Sequence, residues 1–227
     1  MLLLYDIFNE IVKHAELSTL LNLYCSNKTI QSICLSYPFM TVLLEYRQSK
    51  YFNLNAKSVL LDEFLTNVSG KDILFLKQIQ FVLGSCISIC CKRTKMIMLD
   101  GYGKITILEM LYTLLDNFVK CHLDPRYTKN AILVQPLYNT SLSRLKSIET
   151  SLYYQENHFK IILDKNDIIV DEELLNKCII ITFRMVYNSN YLDKVTSLHR
   201  LPHDKASLSA FLNFLLEGAK AYINDSI

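Results

Sequence analysis

An α+β fold, predominantly helical, is predicted for this 227-residue chain by three features of its sequence. Apolar residues recur at spacings of three and four over most of its length, the mark of amphipathic helices. An apolar β-prone run before Asp100 and a candidate hairpin near Asp164 interrupt that pattern. A hydrophobic fraction of 51% argues against disorder, and the length allows a sizeable core.

The elements follow in order. Leu3, Ile7 and Ile11 lie four apart, and Leu4, Phe8 and Val12 widen the stripe into one face of a first helix. Ser18 can cap a second helix, in which Leu20, Leu21 and Leu23 are apolar before the polar run Ser26-Asn27-Lys28. A third begins near Thr29, carries Ile30, Ile33 and Cys34, and stops at Ser36-Tyr37-Pro38, because the residue before proline is steered away from helical geometry. The chain then turns into Phe39 to Tyr46.

A polar bridge over residues 51–57 sets a boundary, giving a helical module over 1–55 and an α+β domain over 56–227. Helical spacing returns over 58–68 and 72–83, separated by Gly70. The β-prone run that follows leads to a glycine turn at Gly101 and Gly103, then to a helix from Ile107 to Lys120. His158 to Leu163 and Asp167 to Val170 flank Asp164-Lys165-Asn166 as a hairpin. Asp171 or Glu172 opens a helix that continues through Phe183 and Val186. After the break at Pro202, a last helix over 205–223 places Leu208, Phe211, Leu212, Leu215 and Ala219 on one face.

Three short helices in so few residues hide only part of their apolar surface among themselves, so some of it should meet another surface. The pattern resembles the F-box, the adaptor-binding module of ubiquitin ligase substrate receptors. Leu3, Asp6, Ile7, Glu10, Ile11, Val12, Lys13, His14 and Leu17 match its first helix. Leu20, Leu21, Asn22 and Leu23 match the second, and Asn27-Lys28 falls at the polar junction before the third. Leu4 replaces the usual proline, Ala15 a common leucine, and the chain has no tryptophan. The resemblance implies that Leu3, Leu4, Ile7, Phe8, Ile11 and Leu20 form the apolar surface for a Skp-type adaptor. The second domain would then hold an unknown protein target for ubiquitin transfer.

Charge and composition narrow the partners. A formal charge of +2, with Lys and Arg scattered among acids, argues against nucleic acid. No apolar segment reaches about 18 uninterrupted residues, so no membrane span is expected. Asp6 and Glu10 break the apolar start too early for a signal-peptide core, which points to an intracellular protein, cytoplasmic or nuclear. Seven cysteines without a framework fit reduced thiols. Frequent Tyr, Ile, Asn and Lys suggest an AT-rich coding sequence, and a viral chain would work in its host cell.

No residue set meets the demands of catalysis, a metal or a cofactor. Met98 to Glu109 has the outline of a calcium loop, but only Asp100 and Glu109 could ligate as carboxylates, and calcium needs six to eight oxygens. Cys86, Cys90 and Cys91 lack the Cys-x-x-Cys spacing and a nearby histidine for zinc. His199 and His203 are four apart, yet Pro202 between them favours a loop. His122 near Asp124, and His158 near Asp164, have no nucleophile motif or phosphate loop beside them. Tyr153, Tyr154 and Phe159, with Arg144 and Lys146 nearby, form no RNA-binding motif, and Glu172-Glu173 suits the first turn of a helix. The expectation is a non-enzymatic interaction protein. The alternative is a structural or assembly protein, such as a virion component, whose N-terminal helices serve packing only.

Overall fold

Helix and sheet meet around one strand, Met96–Asp100, whose first four residues are all buried. The computed structural model describes residues 53, 55–87, 96–115, 119–120, 133–134, 160–164, 172–184 and 198–226. Apart from Asn53 and Asn55, the expected N-terminal module lies outside the described residues. Helices α1 (Val59–Val68) and α2 (Ile73–Ile87) come first, then β1 (Met96–Asp100), α3 (Lys104–Leu115), β2 (Val119–Lys120) and β3 (Leu133–Val134). Next come β4 (Lys160–Asp164), α4 (Glu172–Leu175), β5 (Ile179–Thr182) and α5 (Lys205–Ser226).

The strands form one sheet in the order β2-β3-β4-β1-β5. Every pairing is parallel. Parallel neighbours need a crossover, and α3 lies in the connection from β1 to β2 as α4 does in that from β4 to β5. The mixed, mainly helical composition expected from sequence holds for the described residues. The expected hairpin near Asp164 supplies β4 as its first arm, but β4 lies between β3 and β1, both parallel to it, and residues 167–170 are outside the described set.

Alternation along the strands separates two buried faces. Ile97, Leu99, Ile162 and Ile181 join one apolar cluster with Phe64 of α1, Leu83 of α2, Leu111 of α3 and Phe211 of α5. Met96, Met98, Ile161 and Leu163 are buried as well but lie outside that cluster, on the opposite face. A near-continuous apolar strand is what a sheet covered on both faces requires.

Helix ends follow local chemistry. The Ser58 hydroxyl accepts from the Leu61 N–H at 3.2 Å to cap α1. Gly70 and Lys71 both take positive φ after α1, and the Lys71 N–H returns to the Thr66 carbonyl, reversing the chain into α2. Asp72 caps α2 by accepting from Leu74 and Phe75 N–H groups. The closest helix pairing is α2 with α5. A Cβ on Gly84 would collide with the Gly218–Ala219 backbone, and one on Gly218 with the Gln80 carbonyl, so the two backbones touch.

Two helix expectations change. The helix expected over Ile107 to Lys120 starts at Lys104, where the Ile107 N–H bonds the Gly103 carbonyl, and ends at Leu115. Val119 and Lys120 instead pair with Leu133 and Val134. The helix expected from Asp171 or Glu172 through Val186 lasts only to Leu175. Ile179 to Thr182 is a β-branched run that gains a full parallel ladder beside β1, which outweighs its helical spacing. The final helix appears where expected, with Leu208, Phe211, Leu212, Leu215 and Ala219 all buried.

Candidate functional site

In open parallel sheets, ligands sit outside the carboxyl ends of the strands, where neighbouring strands send their connections in opposite directions. Here β1 leads toward β2 on one side, while adjacent β4 leads across β1 to β5 on the other. The carboxyl ends of these strands stand level, with Leu99 opposite Asp164 and Asp100 opposite Thr182. From the end of β1 into α3 runs Gly101-Tyr102-Gly103-Lys104, the lysine being the first residue of the helix. Strand, glycine turn, lysine and helix is the order of a phosphate-binding loop, whose pattern is G-x-x-x-x-G-K-[ST].

The fit to that pattern is partial. With Gly103-Lys104 as its Gly-Lys pair, the first glycine falls on Met98, fully buried inside β1, and the hydroxyl position falls on Ile105, which is 61% exposed. Only Gly101 and Tyr102 separate the strand from Gly103, too few to wrap a chain of phosphates.

Each part of the turn is already engaged by the protein. Gly101 has φ +87, its N–H donates to the Asp100 Oδ1, and a Cβ there would come 2.6 Å from the Phe183 carbonyl oxygen. Gly103 has φ +96, and a Cβ would lie 2.7 Å from Val68 Cγ1 and 3.3 Å from the Phe64 ring. Apolar α1 therefore covers the backbone that would cradle an anion. Lys104 Nζ donates to Asp164 Oδ1 at 2.5 Å, with both side chains nearly buried. The pair bridges the first residue of α3 and the last of β4, across the crevice itself.

Around this edge the α1–α2 turn is fastened to the end of β5. The Arg184 N–H donates to the Val68 carbonyl at 2.8 Å, its guanidinium pairs with Asp72 at 2.8 Å, and it lies 4.2 Å from the Phe75 ring centroid. The Phe75 N–H, then the Arg184 side chain, hold the Asp72 carboxyl below its ordinary value of 3.8.

The residues singled out from sequence are scattered or undescribed. Leu3, Leu4, Ile7, Phe8, Ile11 and Leu20 lie outside the described residues, as do Cys90, Cys91, His122, Asp124, Arg144, Lys146, Tyr153, Tyr154, His158 and Phe159. Cys86 is buried in α2, and that burial pushes its thiol up to about 12 against the opposing charge of Lys160. Asp100 caps the glycine turn, and the exposed His199 and His203 flank Pro202 in the turn before α5. Among the described residues no group of three or more His, Cys, Asp or Glu is placed to hold a metal ion. No described helix is long and apolar enough to cross a membrane.

Sequence reasoning missed the Lys104–Asp164 pair. The Gly-x-Gly-Lys string after a β-prone run was the available signal, but its partner is 60 residues away and only the register of β1 with β4 brings it near. No protein-family model matches this chain, and no curated protein matches its sequence.

Proposed function

We propose that the chain is a non-enzymatic interaction protein, in which an F-box-like module over 1–55 binds a Skp-type adaptor and the domain over 56–227 recruits an unknown protein to a ubiquitin ligase. The observation that supports the non-enzymatic half is the Lys104–Asp164 pair. At the sheet edge where a ligand would bind, the lysine is neutralised from within and the turn is packed by Phe64, Val68 and Phe183. A domain built this way offers its surfaces to partners. The adaptor half is supported by the apolar stripe of Leu3, Ile7 and Ile11 and its match to the F-box pattern.

Purified protein mixed with a purified Skp-type adaptor tests the reading. A stable complex on gel filtration is expected; it should vanish in I7D/I11D, because charge enters a desolvated contact, and persist in K13A. Circular dichroism must show the double variant folded; unfolding would place Ile7 and Ile11 in the core instead. Magnesium and ATP should leave the melting temperature unchanged. A rise of several degrees that K104M abolishes would overturn the non-enzymatic half.

A further inference from the structure

We propose that the outer edge of β5 pairs with the same edge of a second copy of this chain, antiparallel about a two-fold axis through Ile181, to give a dimer with one continuous sheet. Such a dimer is independent of adaptor binding. β5 is the last strand in the order β2-β3-β4-β1-β5, with β1 on one side and no described strand on the other. Along a strand, the N–H and C=O of one residue point to one neighbour and those of the next residue point away. Phe183 donates its N–H to the Asp100 carbonyl at the end of β1, at 2.9 Å, so by alternation Ile179 and Ile181 also face β1. The N–H and C=O groups of Ile180 and Thr182 therefore face outward, and both residues are exposed, Ile180 at 43%. Among the described residues, no backbone group bonds them on that side.

This open stretch has closed ends. The Cys178 N–H donates to the Leu175 carbonyl at 3.2 Å, and the Arg184 N–H to the Val68 carbonyl at 2.8 Å. Ile180 and Thr182 remain between them, and a two-fold axis through Ile181 sets Ile180 of each copy opposite Thr182 of the other. Residues opposed in this way exchange both hydrogen bonds, so every outward N–H and C=O of the pair finds a partner.

A foreign strand would meet the same groups, but the edge matches itself. Arg184 falls opposite Cys178 across the axis, so this cation does not meet its own copy. The strand Ile179–Thr182 has neither charge nor proline, the devices that keep edge strands apart. At the far edge of the sheet, β2 has only two residues and offers no equivalent run, so pairing stops at a closed pair.

Sedimentation velocity of the full chain, alone, from about 1 to 100 μM tests the dimer, which should accumulate over that range as a small interface does. I180K and T182P should each be monomeric throughout with unchanged circular dichroism, because a lysine guards an edge and the proline removes only an outward N–H. I73K, which removes a more exposed isoleucine from α2, should dimerise as wild type. Amide exchange in the wild type keeps the test decisive if either edge variant misfolds. The Ile180 and Thr182 N–H groups should be protected at high concentration and exchange quickly on dilution, while those of Ile181 and Phe183, bonded to β1, stay protected. A monomer at every concentration, which leaves the edge to a foreign strand, would overturn the proposal. So would growth past the dimer, loss of the dimer in I73K, dimers that persist in folded I180K and T182P, or fast exchange of Ile180 and Thr182 within the dimer.

Discussion

Lys104 and Asp164 face each other at the sheet edge with both side chains nearly buried, so removing either leaves the other without this ion pair. Breaking a pair of this kind costs about 3 kcal/mol, because the remaining charge stays desolvated. K104M and D164N should each lower the urea midpoint. The double variant K104M/D164L should recover much of the loss, since it removes both members of the ion pair together. Asp204 provides a second residue-level expectation. Its carboxyl is held below its ordinary value of 3.8, first by the Ser207 hydroxyl and then by the Ser207 N–H. The ionised form is therefore favoured in the fold. Its contribution is fully present above 3.8 and disappears as pH falls through the lower folded value. D204A should cost about 1 kcal/mol near neutral pH, as lost helix caps do, and its gap from wild type should close in acid-dependent melts. Cys86 should resist a thiol reagent until denaturant is added, because burial both shields it and keeps it protonated.

Among the elements, the crossing of α2 and α5 depends most on single residues. Gly84 and Gly218 let the two backbones touch, and a methyl group at either position must push the helices apart. G84A and G218A should each cost roughly 1–3 kcal/mol, and the effects should not add, because separating the helices once relieves both clashes. Thermal melts of the two single variants and the double variant measure this. Short elements were where local pattern misled. Ile179, Ile180 and Ile181 continue the apolar spacing of a helix begun at Glu172, yet they form a strand because β1 offers an open ladder. Val119 and Lys120 leave the helical pattern for the same reason, pairing with β3. By contrast, α1, α2 and α5 carry strong helical periodicity, and each occurs close to its expected place.

At the level of the whole molecule, one apolar cluster joins α1, α2, α3 and α5 to a single face of the sheet. Loosening any of these elements should therefore lower one shared transition. L111A in α3 and F211A in α5 should each cost about 3–5 kcal/mol and shift the same cooperative unfolding curve. Circular dichroism is the suitable probe, since the chain contains no tryptophan. A separate early transition in either variant would show that the cluster is not one unit. Local sequence pattern suffices to make α1, α2 and α5 helical, to bound α1 with Ser58 and Gly70, to bury one face of the last helix, and to mix helix with sheet. Those properties arise from neighbours within a few turns. Long-range packing sets the parallel strand order, the Lys104–Asp164 bridge, the backbone contact at Gly84 and Gly218, and the Ser58–Ser207 hydrogen bond that joins the starts of α1 and α5. Each of these joins residues far apart in the chain, and short-range periodicity carries no information about which distant strand or helix a segment will meet.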